Sequence, residues 1–347
     1  MTLAARQAAL EQRFRARRTA QPNRSAVLLK LLNKTGAYGI KNWAQRITTG
    51  TDTGQVFLDG QDFSTFQNDT DLPIILQWGL YGDTFDITNL DADGSAGDPG
   101  DYADLVVKEG ADALDRAADK IEADLWSGPG TSSPQRLHGL VAAAGPVDDT
   151  GTYAGVDRAL QPQWASNVFD NGGIEQDFSI AKIEEAIDTT YTASGVKPTA
   201  IISNPTLWRR TKNLSKQDAL ERIVQVGGRE YTLDPGVQAL EVDGIPMFMA
   251  RSCPAGTIVG LSMDHIGIER LAPAESRRQR LLATELPIIG TPEEQYYAPD
   301  VPRRELGAEL YKLSRTGNLE KYAIETKIVL WTDKCNAHFR ISNLAVN

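Results

Sequence analysis

Histidine and cysteine are nearly absent from this chain, with three and two copies in 347 residues. His138, His265, His338, Cys253 and Cys335 are too few to build most metal clusters, and the odd spacing of Cys335 and His338 turns them to opposite faces of a strand. A structural role is expected for that pair. Two distant cysteines suggest no disulfide framework and fit a reducing compartment. No apolar run approaches the ~20 residues of a membrane span, and Met1–Arg24 lacks the uninterrupted apolar stretch of a signal peptide. The chain is therefore expected in the cytoplasm with no membrane partner. GxxxxGK[ST], GxGxxG after a strand, HExxH and GxSxG are all missing, so the expectation is no enzyme, no catalytic residue, no cofactor and no metal.

Positive charge is missing from a whole segment. Between Ile47 and Val107 there is no lysine or arginine, yet there are twelve aspartates, among them Asp59, Asp62, Asp69, Asp71, Asp83 and Asp86. The net charge of −10 divides unevenly, because residues 1–24 hold six arginines against Glu11 alone and leave −15 for the rest. A body of that balance is a poor general binder of nucleic acid, whereas Arg13, Arg15, Arg17 and Arg18 suit phosphate or a neighbour's acidic face. Asn89-x-Asp91-x-Asp93-Gly94 opens like a calcium loop, but Gly100 stands where the bidentate Glu is required, so an Asp/Gly turn is expected.

Pattern orders the chain around one helix, Pro99 to Trp126, closed by Ser127-Gly128-Pro129-Gly130. Tyr102, Val106, Val107, Leu114, Ala117, Ile121 and Leu125 recur at helical spacing, with Asp104, Lys108, Asp112, Asp115 and Asp119 opposite. Gly110 on the apolar side suggests the close approach of another backbone. Ahead of this helix, Ala26 to Leu32 reads as a short segment of an arm that Gly36 and Gly39 end. Gln55–Leu58, Ile74–Trp78 and Asp83–Thr88 read as a two-stranded acidic excursion. Beyond it come a helix from Ile180 to Tyr191, a strand Ala200–Ser203, and a helix from Pro205 to Lys212 with Asn204 as its N-cap. Strands follow around Val237–Val242, Ile245–Ala250 and Thr257–Met263, and later over Leu306–Leu313, Tyr322–Trp331 and Ala337–Leu344. Tyr322, Ile324, Ile328 and Leu330 share one face and are expected to pack on the long helix.

The succession Leu125-Trp126-x-Gly128, His138-Gly139-Leu140, Tyr153-x-Gly155-x-Asp157-Arg158 and Trp164 resembles the major capsid proteins of tailed bacteriophages, whose Hong Kong-97-type shell fold encapsulins share. The resemblance implies an α+β fold with an N-terminal arm at 1–46, an extended β-hairpin loop at 47–98, and a spine helix of the peripheral domain at 99–134. It further implies an axial domain at 135–300 and peripheral-domain strands at 301–347. The implied function is a coat protein that assembles with itself into hexamers and pentamers, as a virion shell around double-stranded DNA formed in the host cytoplasm. A portal, a separate scaffolding protein and a decoration protein are the implied partners. Asp59, Asp62, Asp69 and Asp71 would then meet a neighbour's Arg303 and Arg304, or its Arg277, Arg278 and Arg280. Gly227 and Gly228 would flank a loop at the symmetry axes, and Gly317 and Asn318 would lie near local threefold contacts. Lysine does not occur between Lys41 and Lys108, so no isopeptide lock from that loop to Asn318 is expected. An encapsulin-like compartment stays open as an alternative, as does a soluble α/β enzyme with an unrecognised site.

Overall fold

The computed structural model describes residues 27–38, 42–48, 71–88, 99–215, 223–226, 229–232, 239–272, 309–313 and 319–345. Its α-helices are α1 (Val27–Leu31), α2 (Pro99–Ser127), α3 (Ile180–Ser194) and α4 (Pro205–Ser215). At 29 residues α2 is about 43 Å long. Its predicted stripe is buried at Leu114, Ala117, Ile121 and Leu125. The stripe lies on a five-stranded sheet whose longest member is Leu319–Thr332. One edge of that strand pairs with Gly79–Thr88; the other pairs with Glu309–Lys312 and Ile266–Ala272, and Asn33–Tyr38 runs parallel to the last. Tyr322, Ile324, Ile328 and Leu330 are all buried on the helix side, as the alternation predicts. Phe85 and Tyr322 stack at 5.1 Å beneath Ala113 and Leu114.

A second sheet of six strands runs in the order Ala239–Val242, Ile245–Met249, Ala200–Ser203, Ile258–Leu261, Phe339–Ile341, Asn167–Phe169. Ala200–Ser203 and Ile258–Leu261 are buried at every position, because both faces are covered. Ile201, Met247 and Ile258 pack under Ile183, Ile187, Leu207 and Trp208 of α3 and α4. Ile202, Phe248 and Val259 face the other way, into a core shared with Leu28 and Leu29 of α1, Leu125 and Trp126 of α2, and Ile328 and Leu330. The end of α2 therefore sits where both sheets meet. Local chemistry sets the boundaries: Ser179 caps α3 and Gly195 ends it at φ 71°, while the Asn204 carboxamide accepts from Leu207 N at 2.9 Å. Asp243 and Gly244, both with positive φ, make the tight turn between Val242 and Ile245.

Several elements differ from expectation. Ile74–Trp78 is replaced by Asp71–Leu76, which pairs with Trp43–Thr48, a strand the pattern did not signal. Gly79–Thr88 is no part of an excursion; it pairs along its length with Leu319–Ile328, since its buried positions alternate to face α2. Asn33–Tyr38 is a strand in spite of Gly36, because Ile266–Ala272 supplies its ladder. Of Leu306–Leu313 the described part holds a strand at Glu309–Lys312, and Ala337–Leu344 shrinks to Phe339–Ile341. Phe339–Ile341 joins the six-stranded sheet and Ile266–Ala272 the five-stranded one, each opposite to what chain position suggested. At Gly110 no backbone approaches among the described residues; a Cβ there would touch the Phe85 ring at 3.6 Å, an ordinary contact. Tyr102, Asp104, Val106, Val107 and Lys108 have side chains outside the described set, as Gln55–Leu58 lies outside it altogether.

Candidate functional site

The motifs that carry the sequence resemblance converge at the end of α2. Its last carbonyls need partners that the helix cannot supply. Segment 137–141 supplies them: Leu140 N donates to Leu125 O at 2.8 Å, Val141 N to Trp126 O at 2.9 Å, and Gly139 N to Gly128 O at 2.9 Å. The approach is so close that a Cβ on Gly139 would lie 2.4 Å from Gly128 N and 2.6 Å from Asp124 O. Only glycine fits there. Asp124, 1 % exposed, bonds Arg136 at 2.5 and 2.8 Å, the Tyr81 hydroxyl at 2.9 Å and Lys120 at 3.2 Å. Desolvation works against its charge, but the bonds from Arg136, Tyr81 and Lys120 hold its carboxyl below the usual range. Burial, with Asp124 alongside, raises the Tyr81 phenol.

Arg158 makes the second knot. Buried at 3 % exposure, its guanidinium donates to the carbonyls of Trp164 (3.2 Å), Thr150 (2.8 Å) and Gly145 (2.6 Å), and lies over the Tyr153 ring. Trp164 Nε1 donates to Tyr153 O, and Ala154 and Gly155 turn the chain at φ 53° and 87° between Tyr153 and Val156. This block packs against Trp43, Ile74 and Leu76, so it anchors the hairpin base from which the chain leaves at Thr48 and returns at Asp71, directly opposite. His338 and Cys335 are both buried and structural in role. His338 Nδ1 accepts from Ser262 N and its Nε2 meets Thr332 Oγ1 at 3.0 Å, while burial pushes its pKa down to about 3 and that of Cys335 up to about 12.

Of the expected interface residues, Asp59, Asp62, Asp69, Gly227, Gly228, Arg303, Arg304, Gly317 and Asn318 lie outside the described residues, as do Arg277, Arg278 and Arg280. So do Arg13, Arg15, Arg17 and Arg18 of the arm, and Asn89, Asp91 and Asp93. Asp71 opens its strand opposite Thr48. Gly227 and Gly228 stand between Val226 and Arg229, which pair with each other. Thr88 pairs with Leu319, so the segments bearing Asn89 and Asn318 leave the same end of the sheet. Asp83 meets Arg116 of its own α2 at 2.5 Å rather than a neighbour. Among the described residues no group of histidine, cysteine and carboxylates is set to hold a metal, and no helix is long and apolar enough to cross a membrane. Exposed apolar side chains, with Leu160 at 77 %, Ile174 at 68 % and Ile75 at 50 %, and the acidic outer face of α3 (Glu184, Glu185, Asp188) are the surfaces available to partners. Reading the sequence missed Asp124, Arg136 and Glu122, and held Arg158 only as part of a motif. The glycines beside them, at 128, 139 and 155, were the available signal.

No family model matches the sequence, and no curated protein matches it. Solved structures do. The chain resembles the cyanophage A-1(L) capsid protein with a TM-score of 0.65 at 19 % identity, over 92 % of this chain and 93 % of that one. It resembles the capsid of a native GTA particle at 0.54 and 12 %, over 92 % and 90 %. The SrpI encapsulin of Synechococcus elongatus PCC 7942 matches at 0.52 and 13 %, over 94 % and 90 %. The chain has the mixed α/β fold of these shell proteins.

Proposed function

We propose that the chain is a major capsid protein that self-assembles into the icosahedral head shell of a tailed phage around double-stranded DNA. The observation that carries this reading is the extent of the match to the cyanophage capsid protein, 92 % of one chain on 93 % of the other. In this reading α2 is the spine, the five-stranded sheet belongs to the peripheral domain and the six-stranded sheet to the axial one. The hairpin rooted at Thr48 and Asp71 is the base of the extended loop, whose Asp59, Asp62 and Asp69 meet Arg303 and Arg304 of a neighbour. Interface ion pairs of this kind fix register more than they add affinity. Gly227 and Gly228 turn near the capsomer axis, and Gly317 and Asn318 near threefold contacts. Arg13, Arg15, Arg17 and Arg18 meet packaged DNA by non-specific phosphate contact. The protein acts without catalysis, in the virion, after assembly in the host cytoplasm with a scaffolding protein, a portal and a decoration protein.

Electron microscopy of purified particles, with nucleic-acid content measured, tests the reading. Closed shells containing DNA support it. Shells filled with a protein cargo and free of DNA favour the encapsulin-like compartment, which the Synechococcus elongatus match keeps in view. A small soluble oligomer that never forms shells would remove both. With no lysine between Lys41 and Lys108, boiling in detergent should release one band near 37.9 kDa; a ladder resistant to reductant would contradict the non-covalent lattice.

A further inference from the structure

Glu122 lies on the last turns of α2, 4 % exposed, and caps an element distant in the chain. Its Oε2 accepts from Leu29 N at 3.0 Å and its Oε1 from Leu28 N at 3.4 Å, the first turn of α1, while Trp126 Nε1 donates to Oε1 at 3.3 Å. These donors are neutral. Among the described residues the charge acting on it is Asp119 on α2, of like sign, while Arg270 falls by alternation on the same sheet face as Ile266 and Ile268. Glu269, Glu325 and Lys327 stand at alternate positions on the opposite sheet face, where Glu269 bonds Trp43, and Lys30 of α1 has its side chain outside the described set. Leu28, Leu29, Ile121, Leu125 and Trp126 around it belong to one apolar cluster among the described residues.

We propose that Glu122 is a proton-controlled latch for α1: its protonated carboxyl keeps the segment docked on α2, and ionisation favours release of α1 together with the point where residues 1–26 join the body. Undocking α1 removes two of the three donors and opens the carboxylate to water, which solvates the charge better than three neutral N–H groups in an apolar wall. Burial raises Glu122 to about 7 from 4.5, and the bonds from Leu29, Trp126 and Leu28 offset part of that rise. The sign follows. A carboxyl raised in the docked state stabilises docking fully below about 4.5, and that contribution is lost as pH rises through about 7.

Hydrogen exchange of the full-length chain, corrected for intrinsic rates, tests this between pH 6 and 8, above the isoelectric point of about 5.0. Amides of residues 28–32 should lose about tenfold in protection over that range, while those of Ala200–Ser203 hold constant. Glu122→Gln should remove the pH dependence of residues 28–32. Parallel behaviour of the two sets in the wild type overturns the latch, as does an unchanged pH dependence in E122Q. If E122Q does not fold, the wild-type comparison decides by itself.

Discussion

Asp124 and Glu122 stand two residues apart on α2 and are almost equally buried, yet one carboxyl is held below its ordinary range and the other far above it. Desolvation dominates at Glu122, whereas at Asp124 charged donors outweigh it. Asp124 faces Gly79–Thr88 and segment 135–141, where Tyr81 brings a hydroxyl and Arg136 charge, and Lys120 adds charge from its own helix. Glu122 faces α1, from which the backbone N–H groups of Leu28 and Leu29 donate to it. One side of the helix end is thus closed by opposite charge and a glycine contact, and the other by a bond that changes strength with protonation.

That contrast can be broken most severely at Gly139. Gly139→Ala forces a methyl into Gly128 N and Asp124 O, and is expected to cost more than about 4 kcal/mol, read as loss of soluble folded protein or a collapse of Tm. Next comes Arg136→Met, which strands a buried carboxylate and should cost about 3 kcal/mol in chemical denaturation at pH 7. Its pH dependence sharpens the comparison. In the wild type Asp124 contributes stability above its ordinary pKa of 3.8, lost only as pH falls through its lower folded value. In Arg136→Met burial is left without its main compensation, so stability should recover as pH falls, as on the Glu122 side. An Arg136→Met protein that denatures like wild type would show that Lys120 and Tyr81 suffice. The smallest effect is expected at Arg116→Ala. Arg116 pairs with Asp83 of the strand Gly79–Thr88 but is 55 % exposed, and losing a pair of that kind should change stability by about 0.5 kcal/mol or less.

Periodicity made α2 legible to within a residue at its end, because twenty-nine residues offer many turns for one stripe to repeat. The alternation of Tyr322, Ile324, Ile328 and Leu330 was legible for the same reason. Strands whose ladder partner is remote were not. Asn33–Tyr38 holds Gly36 and polar residues, and nothing within it announces Ile266–Ala272 beside it. Charge misled over Asp83 and Asp86, since a lysine-free segment reads as one unit although Gly79–Thr88 within it belongs to a sheet. At the α2 end, Leu125, Trp126, Gly128 and Gly139 were visible as a motif, but the reason for them, a helix terminus capped by a strand of backbone, is a three-dimensional fact. Nothing in the sequence sets Asp124 and Glu122 apart from the solvent-facing acids usual on helices.

The ladder between Gly79–Thr88 and Leu319–Ile328 joins positions about 230–250 residues apart. Such a high contact order slows folding, because the entropy of closing so long a loop comes before any contact is made. On the ribosome, Gly79–Thr88 is complete long before Leu319 exists, and it must wait with an open edge and half its side chains apolar. Copies made from one message would wait in the same state side by side, so a strand from one chain can take the place meant for another's. Synthesis at high local concentration makes that exchange the characteristic hazard of this fold, and a lower expression level or a holding chaperone is the condition under which it should fold best.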